Sequence, residues 1–165
     1  MSALKLEATT LDSRAVALGV AVNFTMTKPA FARLPFGHWS RVLAGQIKRG
    51  HYFCVMSGRT VLGFCGWSLA SREDAEAWLA GHSPSGLDEG GTGDCLMLNA
   101  WMATAPVVNR FILDRLRMIG SGKYALYAER DYPDGRKRRL RLVGHPVFDK
   151  HVEKLRARSL HQAAG

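Results

Sequence analysis

The side chains that most often carry chemistry are widely spaced along this chain. Its histidines form no zinc-binding pattern with nearby carboxylates, and its three cysteines lie 11 and 30 residues apart. Because zinc sites combine closely spaced cysteine and histidine ligands, we predict no metal site, and no sequence pattern indicates another cofactor. The residues concerned are His38, His51, His82, His145, His151 and His161, and Cys54, Cys65 and Cys95.

One cysteine has a neighbour that suits a nucleophile, since Cys95 directly follows Asp94 at the start of a predicted strand. The thiolate is the reactive form of cysteine, and a nearby base promotes it. A small buried thiol is the more common role of cysteine, and we expect it here and for Cys54 and Cys65. The N-terminus lacks the features of a secretory signal, so reduced thiols in a cytoplasmic protein are expected.

The densest cluster of positive charge is the segment 136–141, with the sequence RKRRLR. Alternate residues of a strand point to opposite faces. One face then carries Lys137, Arg139 and Arg141, and the other carries Arg136, Arg138 and Leu140. Two interpretations stay open: a binding surface for an acidic partner, or a solvated edge strand that charge protects from aggregation. The binding surface would also include Arg115, Arg117, Lys123 and Arg130.

The whole chain is basic, with 23 Lys and Arg against 14 Asp and Glu and a net charge of +9. A field of this sign attracts acidic partners and speeds their encounter. The candidate partners are nucleic acid, an anionic membrane surface and an acidic protein, and a surplus of solubilising charge is the alternative. Few aromatic residues alternate with the basic ones, which disfavours nucleic-acid binding.

Residues 117–122, with the sequence RMIGSG, fit the R/Q-x-x-G-x-G/A pattern of acetyl-CoA-dependent N-acetyltransferases. In those proteins the loop amides hold a pyrophosphate at the start of a helix. Here the glycines follow a predicted helix and precede a predicted strand. We therefore expect Gly120 to end the helix.

Hydrophobic periodicity predicts the secondary structure of most of the chain. The predicted helices are 11–28, 38–49, 71–80 and 106–119, and the predicted strands are 52–56, 60–69, 95–104, 124–129 and 138–143. The third of these strands is apolar on both faces, which is typical of a central strand. Residues 81–93 hold five glycines and are predicted to form a mobile loop, and a basic, weakly amphipathic tail follows from residue 145.

The length of 165 residues suits one domain. No apolar run approaches the roughly 20 residues of a membrane span. The order of elements predicts a single α+β domain, with a mostly antiparallel central sheet flanked by helices. Its core is expected in about residues 11–144.

This order resembles the RTX toxin-activating lysine acyltransferases of the haemolysin-activator type. In that family a helix leads into S-P-x-H, a polar residue, Trp-Pro and a second helix, and residues 28–35 (KPAFARLP) follow the same spacing. The family segment S-G-D-R-x-W-x-I-D-x-I-A-P aligns without a gap with residues 92–104 (TGDCLMLNAWMAT). Further similarities, within a resemblance that covers about residues 18–143, are GHY at 50–52, GWS at 66–68 and DRLR at 114–117.

The resemblance implies a fold similar to GNAT-type N-acetyltransferases and an enzyme that moves a fatty acyl group from acyl carrier protein to a lysine of a protoxin. It also implies that a histidine and an aspartate carry the chemistry. An amine must lose a proton before it attacks a thioester, so a histidine base with a supporting carboxylate suits this reaction. Acyl carrier proteins are acidic and thus complement a basic chain. A homodimer is compatible with the same resemblance.

Both catalytic positions of the family are replaced in this chain. The family histidine aligns with Phe31 and the family aspartate with Ala100, and neither side chain can move a proton. The candidate substitutes are His38, Asp94 and Asn99, of which the asparagine can donate a hydrogen bond to an oxyanion but cannot act as a base. Three functions stay open: an acyltransferase with a relocated base, a silent member that binds or regulates an acidic protein, and a nucleic-acid binder.

Overall fold

The computed structural model describes residues 5–82, 92–131, 135–143, 149–150, 152–155 and 157. One six-stranded sheet runs through this part of the chain, with its strands in sequence order. The elements are β1 (Glu7–Thr9), α1 (Arg14–Met26), α2 (Pro29–Ala32), α3 (Phe36–Arg49), β2 (Tyr52–Ser57), β3 (Thr60–Ala70), α4 (Arg72–Leu79), β4 (Cys95–Ala103), α5 (Pro106–Ile119), β5 (Ala125–Asp131) and β6 (Lys137–Val143).

Neighbouring strands pair antiparallel throughout the sheet except for β4 and β5, which are parallel. Parallel strands need a crossover connection, and α5 supplies it. This mixed, mostly antiparallel sheet with helices on its faces confirms the predicted α+β class. It is also consistent with the GNAT-like arrangement that the family resemblance implies.

Helices cover both faces of the sheet. On one face, α1 and α3 pack on a cluster that we call the α1–α3 cluster, which comprises Ala17, Ala21, Phe24, Trp39, Leu43, Ile47, Tyr52, Cys54, Phe64, Ala100 and Met102. On the same face α4 buries Ala75 against β4 and β5. On the opposite face α5 buries Val108, Ile112 and Leu116. None of the described helices is both long and apolar enough to cross a bilayer.

The predicted helices and strands are all present, and their ends follow local chemistry. Ser13 caps α1 by accepting from the Val16 amide at 3.4 Å, and Ser71 caps α4 by accepting from the Asp74 amide at 3.1 Å. Gly50 ends α3 with a left-handed φ of 72°, a conformation that glycine adopts without strain.

The sequence pattern does not predict β1 and α2, which have three and four residues. Elements this short do not show a hydrophobic period. Residues 83–91 of the predicted loop, 132–134 of a predicted turn and most of the predicted tail lie outside the described residues.

Gly93 fixes the entry into β4. Its φ is 134°, and a Cβ at this position would collide with the backbone of Ala70 at the end of β3. The Gly93 carbonyl also accepts a hydrogen bond from Lys123 Nζ at 2.9 Å. The close approach therefore requires glycine.

We expect Gly93→Ala to lower the free energy of unfolding by about 3 kcal/mol or more, because backbone strain and overpacking each cost about 1–3 kcal/mol. Gly58→Ala is the matched control, since Gly58 has a φ of 57° but open space around it. Gly58→Ala should lower the free energy of unfolding by about 1–2 kcal/mol. Urea denaturation of both variants tests this, and equal losses would contradict it.

Candidate functional site

The pairing of β3 with β4 is irregular in the middle of β4. Gly66 and Trp67 follow each other in β3, and their partners in β4 are Ala100 and Leu98. Asn99 is therefore an extra residue in β4, which defines a β-bulge. Such bulges re-aim side chains and are common beside active sites.

The pairing of β4 with β5 ends at the same point. The last register pair is Leu98 with Ala128, although β4 continues to Ala103 and β5 to Asp131. Beyond this pair the register shows no strand partner for β4 on its β5 side. We call the edge of β4 that is unpaired on its β5 side after Leu98 the β4–β5 opening.

Asn99 is exposed and directly follows Leu98, the last residue of β4 that pairs with β5. Its Oδ1 accepts a hydrogen bond from Ser68 Oγ at 3.3 Å, and Ser68 itself is only 2% exposed. Because the carbonyl end of the amide faces Ser68, the two Nδ2 hydrogens face away from it. They are placed to donate to a carbonyl oxygen or an oxyanion.

The two positions that align with the family's catalytic pair lie in one region of the molecule. Ala100 is 3% exposed and belongs to the α1–α3 cluster. Phe31, in α2, is partly buried and packs against that same cluster. The structure thus brings both positions to one apolar cluster, where neither side chain can bind or release a proton.

The candidate substitutes do not replace that pair. His38 is exposed in the first turn of α3. Asp94 forms an ion pair with Arg72 at 2.7 Å, and the hydrogen bond from this arginine holds the pKa of the Asp94 carboxyl below its usual range. Among the described residues, no hydrogen bond or ion pair joins His38 to Asp94 or Asn99. A histidine and a carboxylate therefore do not meet here.

The three cysteines are free and buried, which confirms the prediction of packing thiols. Burial raises the pKa of Cys95 to about 11 and that of Cys54 to about 11, and it raises the pKa of Cys65 as well. At neutral pH these groups are protonated thiols, so Cys95 is not an activated nucleophile.

These thiols make the stability of the fold depend on alkaline pH. The folded-state pKa of about 11 for Cys54 and Cys95 lies above the ordinary value of 9.0, so the contribution of these two thiols is complete below about pH 9 and is lost as the pH rises through 11. We expect the free energy of unfolding to fall across this window. The double variant Cys54→Ala, Cys95→Ala should show a shallower fall in urea denaturation at pH 8, 9 and 10, and an unchanged slope would contradict this.

A buried amide lies against β3 next to the bulge. Gln46 of α3 is fully buried, and neither its Oε1 nor its Nε2 has a hydrogen-bond partner. A Cβ at Gly66 would collide with this amide, so a larger residue there would require the Gln46 side chain to shift. Gly66 pairs with Ala100. A polar group does reach this part of the sheet, but an amide carries no titratable proton.

We expect Gln46→Met to raise the free energy of unfolding by about 1–2 kcal/mol, because it removes a buried amide whose hydrogen bonds are unmade. Thr25→Val is the matched control, since Thr25 is fully buried but donates from Oγ1 to the Val22 carbonyl at 3.1 Å. Thr25→Val should lower the free energy of unfolding by about 1 kcal/mol. If urea denaturation shows that both variants lose stability, the Gln46 amide has a partner and the prediction is wrong.

Three residues of the basic strand contact acids and an aromatic ring on the α4 side. Lys137 and Arg139 pair with Glu129 at 3.0 and 3.2 Å, and Arg141 pairs with Glu76 of α4 at 2.6 Å. The Arg139 guanidinium also lies over the ring of Trp78, 4.8 Å from its centre. The alternation predicted for this strand is thus confirmed, and Arg139 and Arg141 stabilise the packing of α4.

The other predicted partner-binding residues do not form one patch with them. Arg117 pairs with Asp114 at 3.2 Å, and Lys123 donates to a backbone carbonyl. Arg115 lies over the ring of Phe111 on α5, which packs on the opposite face of the sheet. Arg138 is exposed on β6, and Arg136 is exposed directly before it. The basic residues are therefore divided between two faces, and binding of an acidic partner stays a prediction.

Residues 117–122 form the end of α5, as expected. The Gly120 amide donates to the Leu116 carbonyl at 2.8 Å and closes the last turn. Gly122 then takes a φ of 77° and leads into β5. The amides of this segment follow a helix, so they are not the helix N-terminus that binds a pyrophosphate.

Two adjoining cavities of about 410 and 400 Å³ lie near the C-terminal end of α3 and share Thr10, Gly50 and Tyr52. The first is largely apolar, and the second contains basic side chains of Lys48 and Arg49. Within the described part of the chain, histidine, cysteine and acidic side chains form no group of three or more that could hold a metal ion.

Comparison with protein-family models gives no match, and comparison with curated proteins gives no significant match. The resemblance to the toxin-activating acyltransferases therefore depends on the residues and spacings given above.

Proposed function

We propose that this chain is a protein of the toxin-activating acyltransferase type that binds the acyl-loaded arm of acyl carrier protein and does not transfer the acyl group by the family mechanism. The observation that carries the proposal is a coincidence in β4. The bulge at Asn99 and the end of the pairing with β5 fall at adjacent residues, so a polar residue lies at the start of the β4–β5 opening.

The shape and chemistry of this opening suit the ligand. The arm of an acyl carrier protein is an extended chain with amide groups that ends in a thioester. Strand edges bind extended ligands through backbone N–H and C=O groups. Residues 99–103 offer such an edge on their β5 side, and the Nδ2 of Asn99 can donate to the thioester carbonyl.

Acyl transfer to lysine requires a base in addition to this opening. Lysine has an ordinary pKa of about 10.4 and is protonated at neutral pH, so a base must take its proton. Phe31 and Ala100 supply apolar groups to the α1–α3 cluster where the family resemblance implies that base and its carboxylate. The exposed His38 has no bond to the candidate acids, and this supports binding without family-type catalysis.

Binding is tested by calorimetry with acyl carrier protein in fatty-acyl-loaded and unloaded forms. We expect the loaded form to bind at least about tenfold more tightly, because the unloaded form lacks both the acyl chain and the thioester carbonyl that Asn99 would contact. Asn99→Leu should weaken binding of the loaded form about three- to tenfold through the lost hydrogen bond. Asn109→Leu, at an exposed position on α5, is the matched control. Equal affinity for both carrier forms would refute the proposal.

Restoring the family's histidine and aspartate tests whether their replacement abolished acyl transfer. The double variant Phe31→His, Ala100→Asp should transfer an acyl group to a lysine-containing acceptor peptide, with a rate gain of about 10²–10⁴ over the wild type. Intact-mass analysis measures the transfer, circular dichroism checks the fold, and the two single variants serve as controls. Comparable transfer by the wild type would contradict the proposal and favour a relocated base, which His38→Ala would then remove.

A further inference from the structure

The distribution of acidic residues is highly uneven. Residues 13–72 contain no Asp or Glu, and their cations are Arg14, Lys28, Arg33, Arg41, Lys48, Arg49, Arg59 and Arg72. Arg72 pairs with Asp94 at the start of β4. Within the described part of the chain, Lys28, Arg33 and Arg41 form no ion pair. Lys28, Arg33 and Arg41 therefore carry positive charge that no acid of the described residues pairs with.

The same layer exposes large apolar side chains where its three helices meet. Met26 ends α1, Leu34 lies between α2 and α3, and Phe36 begins α3, and these side chains are 57%, 37% and 66% exposed. We call residues 26–36 the α2 tip. The ring of Phe36 packs edge-on against Trp39, with 5.5 Å between the ring centres. The tip thus combines protruding apolar groups with the cations Lys28 and Arg33.

We propose that the α2 tip inserts into the interfacial region of an anionic lipid bilayer. Segments that lie in this region combine apolar side chains, which enter the boundary of the acyl chains, with Lys and Arg, which contact the headgroups. Anionic lipids attract each such cation, and the α1–α3 layer contains no Asp or Glu that the lipids would repel. Fluid lipid accepts protruding groups such as Phe36 without a complementary pocket.

Two other occupants fit the tip less well. A second copy of this chain, related by a two-fold axis through the tip, would bring the Lys28 and Arg33 of both copies together at a cost in repulsion. The two cavities described above lie at the other end of α3. A helix of 14 residues separates them from the tip by about 20 Å. An acidic protein as occupant is an outcome of the experiment below.

The experiment is co-sedimentation of the full chain with vesicles of phosphatidylcholine alone and of phosphatidylcholine with phosphatidylglycerol. We expect binding to the anionic vesicles only, weakening as salt rises. Phe36→Ser should lower the partition coefficient about tenfold, and Arg33→Glu should lower it by a similar factor. The controls are Val107→Ser, at an apolar position of α5 that is 54% exposed, and Arg138→Glu on β6, and both should bind like the wild type.

A second readout locates the insertion. Bromine-labelled acyl chains should quench the fluorescence of Trp39, which contacts Phe36, and Trp39→Phe should remove that quenching. Equal binding to neutral vesicles would overturn the proposal, and so would an equal effect of Val107→Ser. Absence of vesicle binding, with carrier-protein binding abolished by Phe36→Ser, would show that the tip is a protein-binding surface. Asn99→Leu should leave vesicle binding unchanged, so this test is independent of the proposed carrier site.

Discussion

One extra residue in β4 determines which side chains in each half of that strand point to each face of the sheet. Side chains alternate along a strand, so an inserted residue reverses the pattern beyond it. Because Asn99 is such a residue, Met97 and Ala100 both face the layer of α1–α4, while Leu98 and Trp101 both face α5. The two layers of helices, and with them the position of Ala100 beside the α1–α3 cluster, depend on this bulge.

The polar groups of the core are accommodated in two different ways. The hydroxyl of Tyr127 donates to Glu76 at 2.6 Å, and burial raises the pKa of this phenol, which therefore stays protonated. The same hydrogen bond, followed by that from Arg141, lowers the pKa of Glu76. Gln46, in contrast, has no hydrogen-bond partner for its amide. The first arrangement stabilises the packing of α4, while the second costs free energy beside the bulge.

The helices and strands could be predicted because each has a hydrophobic period long enough to recognise, as the close match of α5 to the prediction 106–119 shows. The bulge could not be predicted, because one inserted residue barely changes the hydrophobic pattern of an apolar strand. Asn99 was nevertheless a signal, since it is the one polar residue between Cys95 and Ala103. The pairing of Arg141 with Glu76 joins residues 65 positions apart, and no local pattern reports such a contact. The absence of acids from residues 13–72 can be read from the sequence. Only the fold shows that α1, α2 and α3 of this stretch lie in one layer.

The close approach of Gln46 to Gly66 has an evolutionary consequence. A larger residue at position 66 would collide with the end of the Gln46 side chain, so we expect the two positions to vary together. Homologous chains should carry a side chain at position 66 only where position 46 has become small. Such paired replacement would record a contact between α3 and β3 that neither position reveals when it is considered by itself.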